Sequence, residues 1–471
     1  ANSAARRPSA AVVAAPNTKQ TWTAAPRRGA PSAPLPLAPA TEGQLVISEF
    51  RYNGTAGPLD EFIEIYNNSG ADLTVQTSDL SAGYAVVASD GITRFTIPNG
   101  TVIPARGHYL GCNSSVNGYS VASYPAGNGT TATCDATYIA DIPLDTGIAL
   151  FNTANPVNFT LVNRLDAVGS TAEANALYKE GVGVRNLNAS SVAYSYSRRR
   201  AGGCIGTNPG TADSNCTSTA AIAATAPPAS LDPQDTDDNR ADFIFVDTNG
   251  TQTSSEASQQ RLGAPGPENL SSPIVRTSAA GAGVVKASLV DACAGNSLSP
   301  NRVRDLTNDP AEPTDTFGSL FIRRKFTNNT GANVTRLRFR IIDITTFPSA
   351  VFSVPAPPND FCGAPGSQCA ADLRALTSTA VVVSVSAPCG GGTATVQGTT
   401  LEQGASPGHQ PNGGGFNSTL SAGVITLATP LRATDDPGTP AVKENEVNLQ
   451  FRFGVQQTGT FRVFMVIEVL P

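Results

Sequence analysis

The chain has 471 residues, enough for two or three domains with substantial cores. Charged residues make up only 14% of it, whereas 44 Gly and 35 Pro are typical of short strands joined by many turns. The formal charge of −6 disfavours nucleic-acid binding, and no apolar run reaches the roughly 18–20 residues of a membrane-spanning helix.

Residues 1–43 are predicted to form an extended N-terminal arm. They are rich in Ala and Pro and carry scattered apolar side chains, so they cannot bury enough surface to offset the entropy of ordering. At about 3.3 Å per residue the arm could reach on the order of 140 Å, far enough to meet a neighbouring subunit. The arm has a net charge of +4, which leaves −10 for the rest of the chain. The charged residues of the arm are Arg6, Arg7, Lys19, Arg27, Arg28 and Glu42. The arm and the body should therefore attract each other.

Two stretches of the arm, 9–15 and 17–23, could each add as a strand to an exposed sheet edge of another copy. Trp22 is the only tryptophan of the chain and would anchor the contact, while residues 26–39 would act as a Pro-rich spacer. Insertion of the arm into its own body is the alternative. The predicted subunit-interface residues are Val12, Val13, Thr18, Gln20 and Trp22.

Alternation of apolar and polar residues begins abruptly after the arm. Residues 45–52 and 61–66 are predicted to be antiparallel strands joined by Asn-Gly and Gly-Pro turns. Further short strands are predicted at 84–87, 95–97, 108–110, 148–151 and 242–246. Turn signals between them favour a β-sandwich over alternating strands and helices.

Four segments in this half carry a family resemblance: LVISEF (45–50), DEFIEIYN (60–67), DTDDNRADF (235–243) and GAPGPEN (263–269). Together they resemble a lamin-tail domain of secreted prokaryotic proteins. The resemblance covers about 44–270, with insertions around 113–134 and 201–231. It implies an immunoglobulin-like sandwich that serves in attachment and assembly.

Residues 271–471 are predicted to form a second sandwich of generic immunoglobulin-like character. In 334–341, Arg336, Arg338 and Arg340 alternate with apolar residues, which predicts one face in water and one face buried. Residues 461–470 are apolar on both faces except for Arg462 and Glu468, as in a central strand. The predicted fold is all-β, with two immunoglobulin-like β-sandwich domains at 44–270 and 271–471 preceded by the extended arm at 1–43.

The eight cysteines divide evenly between the two halves, which predicts disulfides within each domain. Together with an N-terminal Ala rather than Met, this predicts a secreted, extracellular protein. A zinc site is not expected, because the chain has two histidines and no Cys-x-x-Cys. The predicted pairs are Cys112–Cys134, Cys204–Cys216, Cys362–Cys369 and, by exclusion, Cys293–Cys389.

No catalytic set is evident, and we predict that the protein is not an enzyme and uses no cofactor. Glu61 and Glu64 are three positions apart on a strand and should point to opposite faces, which prevents them from sharing an acid/base site. Neither His108 nor His409 is accompanied by a Gly-x-Ser-x-Gly nucleophile motif.

The densest acidic cluster is a weak candidate for binding Ca²⁺, which takes six to eight oxygen ligands. Its spacing is not that of an EF-hand, and Asp and Asn side chains in loops commonly bond nearby backbone amides. We favour this second interpretation, a turn that enters the strand at 242–246. The candidate ligands are Asp232, Asp235, Asp237, Asp238 and Asp242.

The sequence thus favours a secreted structural subunit that self-assembles into an extracellular filament or surface array. Its partners would be other copies of itself, bound when the arm of one copy adds a strand to the next. The alternative is a monomeric adhesin or glycan-binding protein whose inserted loops, such as 201–231 and 354–371, contact surface glycans. A secreted hydrolase is disfavoured by the shortage of histidines.

Overall fold

Strands account for almost all regular structure in the described part of the chain. The computed structural model describes residues 38–123, 132–184, 192–200, 232–249, 260–276, 284–312, 314–346, 371–402, 412–435, 443–459, 461 and 463–470. Several residues named in the sequence analysis lie outside these ranges: the predicted interface residues of the arm, His409, and the pairs Cys204–Cys216 and Cys362–Cys369.

The first half contains thirteen described strands. They are β1 (Leu45–Arg51), β2 (Phe62–Asn67), β3 (Leu73–Thr74), β4 (Gly83–Ala88), β5 (Thr93–Pro98), β6 (Val102–Ile103), β7 (His108–Asn113), β8 (Ala136–Tyr138), β9 (Gly147–Phe151), β10 (Arg164–Gly169), β11 (Tyr194–Arg198), β12 (Phe243–Asp247) and β13 (Gln260–Leu262). Short 3₁₀ helices lie at Val121–Ser123, Pro156–Asn158 and Leu161–Asn163, and a one-turn α-helix lies at Asn239–Asp242.

These strands form a sandwich. One sheet has the order β13-β12-β11-β1-β2-β7-β8, the other has the order β10-β9-β4-β5, and β3 pairs with β6. The core between the sheets takes Leu45, Ile47 and Phe50 from β1. The register of β1 against β2 shifts between Ile47 and Glu49, which marks a β-bulge. Because of this bulge, Phe50 faces the core as Ile47 does.

The second half contains twelve described strands. They are β14 (Ile274–Val275), β15 (Val284–Leu289), β16 (Arg302–Asp305), β17 (Ser319–Asn329), β18 (Arg336–Ile344), β19 (Asp372–Leu376), β20 (Val381–Ser384), β21 (Thr393–Gly398), β22 (Thr400–Leu401), β23 (Thr419–Ser421), β24 (Glu446–Gln457) and β25 (Val463–Leu470). A 3₁₀ helix lies at Ala387–Cys389.

The second sandwich has one sheet in the order β14-β25-β18-β23-β22 and another in the order β15-β17-β24-β21-β20. Strand β16 also pairs with β17, and β19 with β24. Aromatic rings fill the space between the sheets: Phe339 lies 4.8 Å from both Phe326 and Phe451, measured between ring centroids. The fold is therefore all-β, and β25 lies inside its sheet as expected.

One prediction about this half is wrong, because the arginine face of β18 does not lie in water. Arg338 is fully buried and Arg340 is 5% exposed, whereas Arg336 at the margin of the sheet keeps 24% of its side chain exposed. The buried arginines lie against residues of the first half, which an alternation pattern within one strand cannot reveal. Residues 38–471 accordingly form one compact unit.

The two sandwiches share a turn that the sequence analysis missed. Asn67 in NNSGA (67–71) and Asn328 in NNTGA (328–332) are both fully buried. The Asn67 amide donates to the carbonyl oxygens of Ala71 and Ile103, each at 2.9 Å, and Asn328 bonds Ala332 and Leu431 at the same distances. Each asparagine thus ties the end of a strand to a distant loop. A glycan on either of these Asn-x-Ser/Thr sequons would be incompatible with the fold.

Disulfides join Cys112 to Cys134 and Cys293 to Cys389, with S–S distances of 2.00 and 1.99 Å. These are two of the four predicted pairs. Among the described residues, no helix is both long enough and apolar enough to cross a membrane.

Candidate functional site

The two sandwiches meet through polar sheet faces, and charged side chains from both halves are buried at this junction. From the first half, β1 supplies Glu49, β2 supplies Glu64 and β7 supplies His108. Glu49 and Glu64 lie directly opposite each other in the β1–β2 register. Nδ1 of His108 lies 3.0 Å from Oε1 of Glu64, and the Ser48 hydroxyl donates to the same oxygen at 2.5 Å.

The segment that follows β13 covers this acidic face. The backbone N–H of Gly266 donates to Glu49 at 2.9 Å, and that of Glu268 donates to Glu64 at 2.6 Å. Oε2 of Glu268 lies 2.9 Å from Nε2 of His108, although the two atoms are not aligned for a hydrogen bond. Glu268 therefore faces the second half as a buried carboxylate.

Arg338 and Arg340 of β18 meet this carboxylate from the second half. Arg338 pairs with Oε1 of Glu268, and Nη2 of Arg340 lies 3.0 Å from Oε2. Glu468 of β25 completes the group, because its carboxylate lies 2.5 Å from Arg338 and 2.9 Å from Arg340. Across the junction itself, Asn417 donates to Glu49 at 3.1 Å. Two guanidiniums are thus shared between two carboxylates from opposite halves.

The surroundings shift two carboxyl pKa values in opposite directions. Burial, together with the charge of Glu64, raises the pKa of Glu49 well above its usual range. Burial would also raise the pKa of Glu468, but the charges of Arg338 and Arg340 outweigh this and lower it. Glu468, which has two arginine partners, is therefore ionised, whereas Glu49, which lies opposite Glu64, holds its proton more tightly.

The junction encloses a cavity of about 30 Å³, lined by Glu49, Glu64, His108 and Arg340 among others. A space of this size holds roughly two water molecules, which is far smaller than a substrate pocket. Glu64, His108 and Glu268 each offer an atom within 4.8 Å of the others, close enough to share a cation. Both oxygens of Glu268 already contact arginines, so the group is better suited to joining the two halves.

The acidic loop at 232–242 lies at a separate place, around Arg198 at the end of β11. Nη2 of Arg198 lies 2.6 Å from Asp166 of β10, and Nη1 lies 3.1 Å from Asp235 and 3.5 Å from Asp242. The guanidinium thus supplies a positive charge among three carboxylates. Sequence reasoning missed Asp166 because it comes from a distant strand.

Other members of the loop accept hydrogen bonds from backbone N–H groups. The Asp238 carboxylate accepts hydrogen bonds from the backbone N–H groups of Val182 and Arg240, both at 3.1 Å. Asp242 accepts the N–H of Thr236 at 2.9 Å.

Asp232 and Asp237 lie at the rim of this group. Asp232 pairs with Arg106 at 2.7 Å, and Asp237 lies beside the carboxylates of Glu42 and Glu180. Burial and the charge of Asp166 raise the pKa of Glu180.

We expect chelation of divalent cations to leave the melting temperature of the protein almost unchanged, because Arg198 and backbone amides already satisfy the loop. Thermal unfolding followed with and without a chelator, and again after adding Ca²⁺, measures this. A structural Ca²⁺ present at 100 times its dissociation constant would add about 2.7 kcal/mol. A fall of several degrees in chelator would therefore contradict the expectation.

Glu61 and Glu64, the carboxylates considered for acid/base chemistry, are kept apart, and so is their neighbour Asp60. Asp60 pairs with buried Arg51, and Glu61 accepts hydrogen bonds from Asn113 at 3.0 Å and from the N–H of Ile142 at 2.7 Å. Glu64 instead faces the junction. Each of the three carboxylates thus has its own structural partners.

Comparison with protein families matches residues 38–167 to the Lamin Tail Domain. The match is shorter than the range of 44–270 inferred from motifs, and the motifs at 235–243 and 263–269 lie beyond it. Strands β11 and β12 nevertheless complete the sheet that contains β1. The lamin tail domain is an immunoglobulin-like, non-catalytic module. Comparisons with curated proteins and with solved structures found no match.

Proposed function

We propose that the protein is a secreted, non-catalytic structural subunit that assembles into an extracellular filament or surface array. In this assembly, the N-terminal arm of one copy adds as a β-strand to a sheet edge of a neighbouring copy. The two disulfides support a location outside the reducing cytoplasm. The lamin tail domain match supports a non-catalytic role.

The observation that carries this proposal is the charged junction between the sandwiches. Interfaces between domains of one chain usually permit relative motion. Separating this one would pull Arg338 and Arg340 away from Glu268, and a buried charge that loses its partner is strongly destabilising. A subunit that keeps its two sandwiches at a fixed spacing suits a regular assembly. A cavity of about 30 Å³ does not suit catalysis on a substrate.

Deletion of residues 1–30 tests the proposal. We expect the truncated protein to stay folded and monomeric, while the full-length chain forms polymers visible by light scattering and negative-stain microscopy. Trp22→Ala should weaken assembly more than Arg27→Ala, its control within the arm, because a large buried aromatic contributes more than one exposed charge. The same polymer from the truncated chain, or a full-length monomer at high concentration, would refute the proposal.

A patch of exposed apolar side chains on two adjacent loops of the first half favours the second candidate, a monomeric adhesin. Leu80 is 94% exposed and Val157 is 81% exposed. Asp79 holds their loops together by accepting a hydrogen bond of 2.7 Å from the Asn158 side chain. Exposed apolar patches on loops often mark contact sites. A full-length monomer that binds surface ligands through this patch would favour the adhesin.

A further inference from the structure

The outer strand β20 differs from the other sheet edges of the described chain. Exposed edges normally carry charges or proline, or are very short, because their unpaired backbone groups otherwise recruit other strands. In the same sheet, the opposite outer strand β15 carries Lys286. In the first sandwich, β5 contains Arg94 and Pro98, and β10 contains Arg164 and Asp166. Strands β16 and β19 also pair with one strand each, and they carry Arg302 and Arg374 among other charges. The remaining outer strands, β3, β6, β8, β13, β14 and β22, are two or three residues long.

Strand β20 has none of these protective features. It reads Val381-Val382-Val383-Ser384, and the chain has no charged residue from Ala375 to Leu401. Val382 is 64% exposed, whereas Val383 is buried beneath the sheet. An uncharged, β-branched strand of this kind is well suited to pairing with another strand.

The ladder between β20 and β21 shows which backbone groups face outward. The N–H of Val385 donates to the carbonyl of Gly392 at 3.0 Å, just beyond the last register pair, Ser384 with Thr393. Hydrogen-bonded and non-hydrogen-bonded pairs alternate along an antiparallel ladder. The N–H and C=O groups of Val382 and Ser384 therefore point away from β21, and no described residue bonds them.

We propose that β20 is the acceptor edge of the assembly, and that residues 9–15 of a second copy's arm pair with it. This assignment rests on the proposed function. The stretch at 9–15 contains Val12 and Val13 and, like the edge, has no charged residue. The stretch at 17–23 carries Lys19. Residues 16–37 span up to about 70 Å when extended, enough to reach another copy, and Trp22 within this span would pack on that copy beside the paired strand.

Val382→Lys tests the edge. Its side chain is exposed, so the lysine should leave the fold intact, yet it places a charge and a bulky chain beside the outward backbone groups. We expect at least a tenfold rise in the concentration needed for assembly of the full-length protein. Ala287→Lys, which makes the same change in charge on the outer strand β15, should leave assembly unchanged.

Engineered cysteines test the occupant. Full-length chains carrying Val13→Cys are mixed with chains carrying Val382→Cys, and the mixture is resolved on a non-reducing gel. We expect a covalent dimer that the mixture of Val13→Cys with Ala287→Cys lacks, because paired strands bring Cα atoms within disulfide reach.

The outcomes separate this assignment from the proposed function. If the wild type assembles and Val382→Lys assembles equally well, the arm uses another edge, and only the assignment to β20 fails. A dimer of Val382→Cys chains alone would show that two β20 edges pair with each other, which also overturns it. If the wild-type chain never assembles, the proposed function fails and the assignment fails with it.

Discussion

Arg338→Ala is expected to lower the free energy of unfolding by about 3–5 kcal/mol, the usual cost of leaving a buried charge without its partner. Arg338 is fully buried and is shared between Glu268 of the first half and Glu468 of the second. The substitution removes the guanidinium while both carboxylates stay in place. Urea unfolding followed by circular dichroism measures the loss.

Arg432→Ala is the control, because Arg432 is an arginine whose ion pair lies at the surface. Arg432 pairs with Glu444, and 54% of the Arg432 side chain and 28% of the Glu444 side chain are exposed, so the loss of Arg432 should cost about 1 kcal/mol or less. Similar losses in the two variants would contradict the claim that burial at the junction sets the cost.

A second variant keeps the test informative if Arg338→Ala fails to fold. Glu468→Gln removes one of the charges that Arg338 neutralises, so the double variant Arg338→Met, Glu468→Gln should lose clearly less than the sum of its single variants. Strict additivity would show that the two side chains are not coupled.

The junction also shows where sequence reasoning reached its limit. Strands such as β1 and β2 could be predicted because alternation and turn residues are local signals. The arginines of β18 were recognised as one face, but their partners are distant: Glu268 lies 70 residues from Arg338, and Glu468 lies 130 residues from it. A charged sheet face looks the same in sequence whether water or another charged face covers it.

The acidic loop shows the same division between local and distant information. Hydrogen bonds such as that from the N–H of Thr236 to Asp242 join residues six positions apart, and the turn they form could be predicted. The pairing of Arg198 with Asp166 joins residues 32 positions apart on different strands, and no sequence pattern in either strand predicts it. The open edge at β20 was missed for a related reason. A local pattern predicts a strand, but it does not show that the strand lacks a neighbour on one side.

Glu61 should make the protein less stable as the pH rises from about 4.5 to about 8. Burial raises the pKa of Glu61 from 4.5 to about 8, although hydrogen bonds from Asn113 and Ile142 act in the opposite direction. Between these two pH values the folded chain keeps a proton that the unfolded chain has released. This contribution to stability is complete below pH 4.5 and is lost as the pH rises, by up to about 1.4 kcal/mol per pH unit.

Glu61→Gln, which cannot ionise, isolates this contribution. The free energy of unfolding of both proteins is measured in urea at several pH values from 4.5 to 8.5. We expect the difference, variant minus wild type, to rise steadily up to about pH 8 and then to stay constant. All other titrating groups are common to both proteins and cancel in the difference. A constant difference between Glu61→Gln and the wild type would mean that Glu61 is already ionised in the folded protein at pH 4.5, and that its buried hydrogen bonds outweigh the cost of desolvation.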